Sequence, residues 1–218
     1  AEDSVPPMRP GIPGQDYTIE FNATDPGYAE LLENTTTISA GSLSTTWQIQ
    51  PVNTSNTFLI CKTRNNADSA ETPNVFSATC RLLNQTHVIA ERYNSASAIT
   101  MSFDVVHAKN IKVQNGTIAL TAGEKSSDYN LVNPVDLSKS FIMFSQRLNS
   151  VSSLNTDRLY FTGTFANSTH ITFTRSSFGS SATISWYIVE FIDSTTVQTN
   201  QTSAWNLNTG GNIINQSL

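Results

Sequence analysis

The chain repeats itself. Phe58–Arg64 reads FLICKTR, and Phe141–Arg147, 83 positions on, reads FIMFSQR. At the same offset Pro51-Val52 matches Pro134-Val135, NQTH (Asn84–His87) matches NSTH (Asn167–His170), and Arg92 matches Arg175. A two-residue insertion then aligns AITMSFDVV (Ala98–Val106) with TISWYIVEF (Thr183–Phe191), and Asn115-Gly116-Thr117 with Asn200-Gln201-Thr202. Several short matches at one spacing mean two tandem copies of one unit. That restricts the chain to architectures in which a unit of roughly 75 to 85 residues folds and then folds again.

The unit is built from strands. Ile99, Met101, Phe103 and Val105 alternate with Thr100, Ser102 and Asp104; Leu159, Phe161, Gly163 and Phe165 alternate with Tyr160, Thr162 and Thr164; Ile171 and Phe173 alternate with Thr172 and Thr174. A period of two marks half-buried strands. Phe141–Phe144 is apolar on both faces, as a central strand would be. Polar stretches such as NNADSAETPN and NSVSSLNTD separate the strands. One short helix is expected at Tyr28–Glu33 (YAELLE), after the turn at Asp25-Pro26-Gly27. The expected fold is all-β: two tandem antiparallel β-sandwich units, jelly-roll-like, with an extra N-terminal strand.

The expected organisation is a Pro-rich extended linker (1–16), an N-terminal strand with a short connector (17–33), a first repeat (34–110), a second repeat (111–195) and a C-terminal remnant (196–218). With strands lettered A near Phe58, B near Phe76, C near Val88, D near Ile99 and E near Asn115, the termini carry further pieces. Tyr17–Thr24 (YTIEFNAT) resembles a D strand, with Tyr17, Ile19 and Phe21 on one face, and Asn34–Gly41 resembles E. If a unit is E-A-B-C-D, one D-like strand is left over at the N-terminus and one E-like strand at the C-terminus. Such strands suggest exchange between subunits, with Tyr17, Ile19, Phe21 and Trp205 as candidates for the joint.

Charged residues are 13% of the chain and the net charge is −5. No basic face follows from that, so nucleic acid is not an expected partner. No apolar run reaches the length of a membrane-spanning helix. The sequence starts at Ala1, as removal of a signal peptide would leave it, and the expected location is extracellular or at the cell surface. In that setting Cys61 and Cys80, on neighbouring strands of the first copy, are expected to form a disulfide. N-x-S/T sequons occur at Asn22, Asn34, Asn53, Asn84, Asn115, Asn167, Asn200 and Asn215. About five would arise by chance in a chain this rich in Asn, Ser and Thr, so their placement at strand edges and turns says more than their number.

No catalytic constellation can be assembled. His87 and His170 are repeat-equivalent, as structural positions are; His107 has no counterpart; no nucleophile elbow, zinc helix or phosphate loop is present. No cofactor is expected. Asp104, Asp128, Asp157, Glu190 and Asp193 are the carboxylates from which a structural calcium site could be drawn. The strand-closing pairs Arg64/Arg147 and Arg92/Arg175 suit interstrand or strand-to-carbonyl bonds from a guanidinium fork; the alternative is a repeated contact between units or with a glycan. Trp47, Trp186, Trp205 and Tyr187 are candidates for a sugar-stacking platform, although Trp186 shares its strand face with Ile184 and Ile188 and so reads as core.

Ser140–Arg147, Asn167–Arg175 and Ile184–Phe191 form a motif that resembles repeats in fibre and surface proteins of phages and bacteria. The resemblance implies a β module in an extracellular assembly, with no defined activity. The spare terminal strands resemble the layout of donor-strand filaments, in which one subunit's terminal strand completes the next subunit's sheet. Together these imply a non-enzymatic subunit of a glycosylated filament that polymerises with copies of itself. The alternative is a carbohydrate-binding or adhesive module of a virion fibre or cell-surface protein.

Overall fold

The computed structural model describes residues 29–66, 72–150 and 158–197. These fold into two β-sandwich units of six strands each, all pairings antiparallel. In the first unit β1 (Ala29–Ile38), β3 (Thr57–Asn65) and β6 (Ile99–Ala108) form one sheet in the order β1-β6-β3. The facing sheet is β2 (Ser44–Gln48), β5 (His87–Arg92) and β4 (Ala78–Asn84), ordered β2-β5-β4. The second unit repeats the plan with β7 (Ile111–Leu120), β12 (Ala182–Phe191) and β9 (Ser140–Leu148) against β8 (Ser126–Asn130), β11 (His170–Arg175) and β10 (Phe161–Asn167).

The repeat is more regular in three dimensions than in sequence. Strands β3, β4, β5 and β6 begin and end 83 residues before β9, β10, β11 and β12. The two-residue insertion expected before the last strand is absent. The matched positions are Ile99–Ala108 and Ala182–Phe191, so Phe103 corresponds to Trp186 and Asp104 to Tyr187. A slip of two residues keeps every side chain on its own face of a strand, so alternation alone could not detect the error. Strands β1 and β2 precede β7 and β8 by 82 residues.

Both units bury the same internal layout. Trp47 packs on Phe103 with ring centroids 5.5 Å apart, and the equivalent Tyr129 packs on Trp186 at 4.9 Å. The interior of the first unit joins Ile38, Leu59, Met101, Phe103 and Val105 to Cys80, Val88 and Ala90 of the opposite sheet. That of the second joins Ile118, Ile184, Trp186 and Ile188 to Ile171 and Phe173. Each unit also buries one arginine. Arg92 donates from Nε to Ser42 O (2.8 Å), from Nη2 to Ser39 O (2.7 Å) and from Nη1 to Ser97 O. Arg175 donates from Nε to Glu124 O (3.1 Å) and from Nη2 to Thr121 O (3.1 Å), the repeat-equivalent carbonyls. In each unit the guanidinium fork ties separate loop carbonyls together.

Three local expectations are corrected. Residues 29–33 of the segment expected as helix are strand, because β1 pairs with β6 at every position from Ala29 to Ile38 and is rich in β-branched Thr near its end. The first strand therefore starts inside the stretch expected as connector. Strand B begins at Ala78, and Phe76 instead closes the short helix Pro73–Phe76, which has Pro at its first position. Finally β9 is an edge strand of its sheet, and the centre belongs to β12. It is apolar on both faces because one face meets the second unit's own interior and the other meets the first unit. Phe144 lies 5.2 Å from Phe173, and Phe141 lies 5.9 Å from Phe58.

Candidate assembly and modification sites

The two units are joined by more than the connection between β6 and β7. The first unit presents the edges β3 and β4 to the outer face of the sheet β7-β12-β9, and Tyr187, Val189, Val113, Phe141, Met143 and Phe191 join its buried cluster. Strand β4 ends its sheet, and such an edge carries N–H and C=O groups without a ladder partner. Side chains of the second unit fill that role. The Ser145 hydroxyl accepts from Cys80 N (2.9 Å) and donates to Cys80 O (3.2 Å). The Tyr187 Oη accepts from Leu82 N (2.8 Å). Ser77 Oγ in turn accepts from Leu148 N (3.2 Å). Burial raises the pKa of Tyr187 far above the ordinary phenol range, against the lowering effect of its bond to Leu82 and of nearby Arg81.

The equivalent flank of the second unit, between β9 and β10, has less cover among the described residues: Phe76 of the first unit packs against Leu148, Leu159 and Ala182 at one end. Ser77 is 3% exposed and its equivalent Tyr160 is 64% exposed. Leu59, Ala78 and Cys80 are buried, whereas Ile142, Phe161 and Gly163 are only partly so. Phe144 and Phe165 are likewise partly exposed at the margin of the second core. Strand β10 ends its sheet, as β4 does, and no hydroxyl of another element accepts from Gly163 N or Phe165 N among the described residues. An apolar rim beside an unpaired strand edge can take an added strand.

The two flanks also differ in how the sheets are pinned. Cys61 on β3 and Cys80 on β4 form a disulfide, with Cα atoms 6.2 Å apart. Their equivalents are Phe144 and Gly163. A Cβ on Gly163 would stand 2.9 Å from the Phe173 ring and 3.3 Å from the Phe144 ring, so glycine is required where the aromatics close over the strand.

Of the sequons, Asn34, Asn53, Asn84, Asn115 and Asn167 are exposed. Asn34 and Asn115 lie on strands; the other three lie at turns or strand ends. The Oδ1 of Asn53, Asn84 and Asn167 accepts from the backbone N–H two residues on, which leaves the amide nitrogen pointing away from that bond. Asn22, Asn200 and Asn215 lie outside the described residues, as do Tyr17, Ile19, Phe21, Trp205 and Asp157.

The other sequence candidates do not converge. Trp47 sits between sheets with Nε1 donating to Thr36 Oγ1 (2.7 Å), Trp186 is core and Tyr187 is at the joint, so these three form no exposed platform. His87 and His170 each complete the turn of the preceding sequon, with Nδ1 against Thr86 and Thr169 Oγ1. Asp104, Asp128, Glu190 and Asp193 are dispersed, and no group of three His, Cys, Asp or Glu side chains suited to a metal occurs among the described residues. No described helix is long and apolar enough to cross a membrane. The contrast between the two flanks went unread in the sequence. Its signal was there in the exchange of Ser77, Ala78 and Cys80 for Tyr160, Phe161 and Gly163. No protein-family model, curated protein or solved structure matches the chain.

Proposed function

We propose that this protein is a non-enzymatic structural subunit of a secreted, N-glycosylated extracellular filament, built head to tail by strand exchange. The observation that carries the reading is the open flank of the second unit, whose counterpart in the first unit is covered by the rest of the chain. The occupant is the segment Tyr17–Thr24 of a second copy. Its backbone pairs with the outer edge of β10, and Tyr17, Ile19 and Phe21 pack against the rim of Phe144, Phe161 and Phe165. Ladder bonds supply affinity and the alternating apolar side chains supply register. Such a contact is heterologous, joining one end of a copy to the far unit of the next, and it propagates without closing. Glycans at the exposed sequons would discourage sideways pairing of sheet edges. The kinship with fibre and surface proteins of phages and bacteria belongs to this proposal.

The test is negative-stain electron microscopy of the native protein beside a form lacking residues 1–24. Filaments from the first and monomers from the second are expected. Filaments from both, or compact monomers from both, contradict the reading. The alternative, a carbohydrate-binding module, has one observation in its favour: a polar corner between the units.

A further inference from the structure

A concave corner forms where the units meet. Its wall is the outer face of β4 and β5, which carries Arg81 and Glu91; its floor is the joint face of β7, β12 and β9, which carries Asn115, Thr183, Tyr187 and Arg147. Arg81 is paired with Glu91 at 3.2 Å. Arg147 donates only through Nε, to Asn149 Oδ1 at 3.1 Å, and its two Nη groups have no hydrogen-bond partner among the described residues. Arg81, Glu91 and Arg147 all line the corner; burial lowers the pKa of Arg147, Glu91 raises it and Arg81 lowers it. The corner therefore holds two guanidinium groups against one carboxylate, and among the described residues four Nη–H donors of a partly buried cation have no partner.

The arrangement exists only at the joint. In the second unit the equivalents of Arg81 and Glu91 are Thr164 and Thr174, and in the first unit the equivalent of Asn115 is Glu33. Of the corner's charged groups only Arg147 is repeated, as the exposed Arg64, while Thr183 repeats as Thr100. Hydroxyl, amide and carboxylate groups around a guanidinium pair match a ligand that carries both an anionic group and several hydroxyls. Asn115, itself the acceptor of an N-x-T sequon, stands on the floor.

We propose that the corner is a binding site for an anionic saccharide. The carboxylate or sulfate bridges Arg147 and Arg81, and the ring hydroxyls meet Glu91, Thr183 and Asn115. Two sources offer this chemistry: an acidic sugar within a glycan carried on Asn115, or a saccharide from outside the chain. The site does not depend on filament assembly.

The test titrates glucuronate and glucose into the full-length protein produced without glycosylation, Asn115 intact, and follows backbone amide shifts. Saturable glucuronate binding at least about tenfold tighter than glucose is expected, with shifts at Arg81, Arg147 and Thr183. Arg147→Gln in the same background should weaken it by about tenfold or more at an unchanged melting temperature. Equal response to the two sugars overturns the site, whatever the variants do. Glucuronate binding unaffected by Arg147→Gln overturns it too. In the glycosylated protein, binding that appears only after enzymatic removal of the glycan identifies the attached glycan as the natural occupant. Binding that is the same before and after removal identifies an external saccharide.

Discussion

At the scale of single residues, the repeat fixes what each position may hold. Gly116 lies under the Trp186 ring: a Cβ there would stand 2.6 Å from Cζ2, and Trp186 is 2% exposed. Gly116→Ala should therefore destabilise by about 1–3 kcal/mol in chemical denaturation through overpacking. Gly123→Ala, with nothing within 4 Å of its added Cβ, is the matched control and should be close to neutral. Tyr187 makes a second prediction. Its phenol is held neutral in the folded protein far above the ordinary value of 10.0, whereas in the unfolded chain it ionises near that value. The contribution is fully present below about pH 10 and declines as pH rises beyond it toward the folded pKa. Denaturant melts between pH 9 and 11 should show a falling stability that Tyr187→Phe flattens. The variant should also lose about 1–3 kcal/mol at neutral pH, because the Leu82 N–H is left without its acceptor. Sequence showed Trp186 as core from its strand face. It could not place Tyr187, because a joint-facing aromatic and a solvent-facing one have the same alternation.

At the scale of elements, the long alternating strands were legible and the short ones were not. β2 (STTWQ) and β8 (SSDYN) are polar, and each turns a single large ring inward, Trp47 or Tyr129. Their signal was the pairing of Trp47 and Ile49 with Tyr129 and Leu131 at an offset of 82, weaker than any apolar run. The β9 error has a related cause. Burial on both faces suggested the middle of a sheet, but a neighbouring unit provides the same burial to an edge. The link between β3 and β4 differs from that between β9 and β10, and stability should follow. Replacing Cys61 and Cys80 by alanine removes a crosslink over a sequence separation of 19, and should lower stability by about 3 kcal/mol. Differential scanning calorimetry would register this as a lower melting temperature in the double variant. An unchanged melting temperature would mean that the packing of the second unit against β4 holds the flank without the bond.

At the scale of the whole molecule, the internal joint does not repeat itself. Ser145 and Tyr187, which serve the edge of β4, correspond in the first unit to Lys62 and Asp104, and Asn115 corresponds to Glu33. At these positions the outer face of the first sheet is thus charged where its counterpart is neutral. A second copy would desolvate those charges if it docked as the two units dock within the chain. In the proposed filament, propagation would then rest on the segment that the sequence sets apart, Tyr17–Thr24, and on the flank beside β10. The duplication and the sandwich class could be read from alternation and spacing. The open flank could not, because it depends on which side of each unit the other covers. The most direct measurement puts Thr18→Cys and Thr164→Cys in one full-length chain and oxidises it. A reducible ladder of covalent oligomers, lost when either added cysteine is omitted, is expected. A crosslink confined to monomers would contradict strand exchange, because the strand would then belong to its own chain.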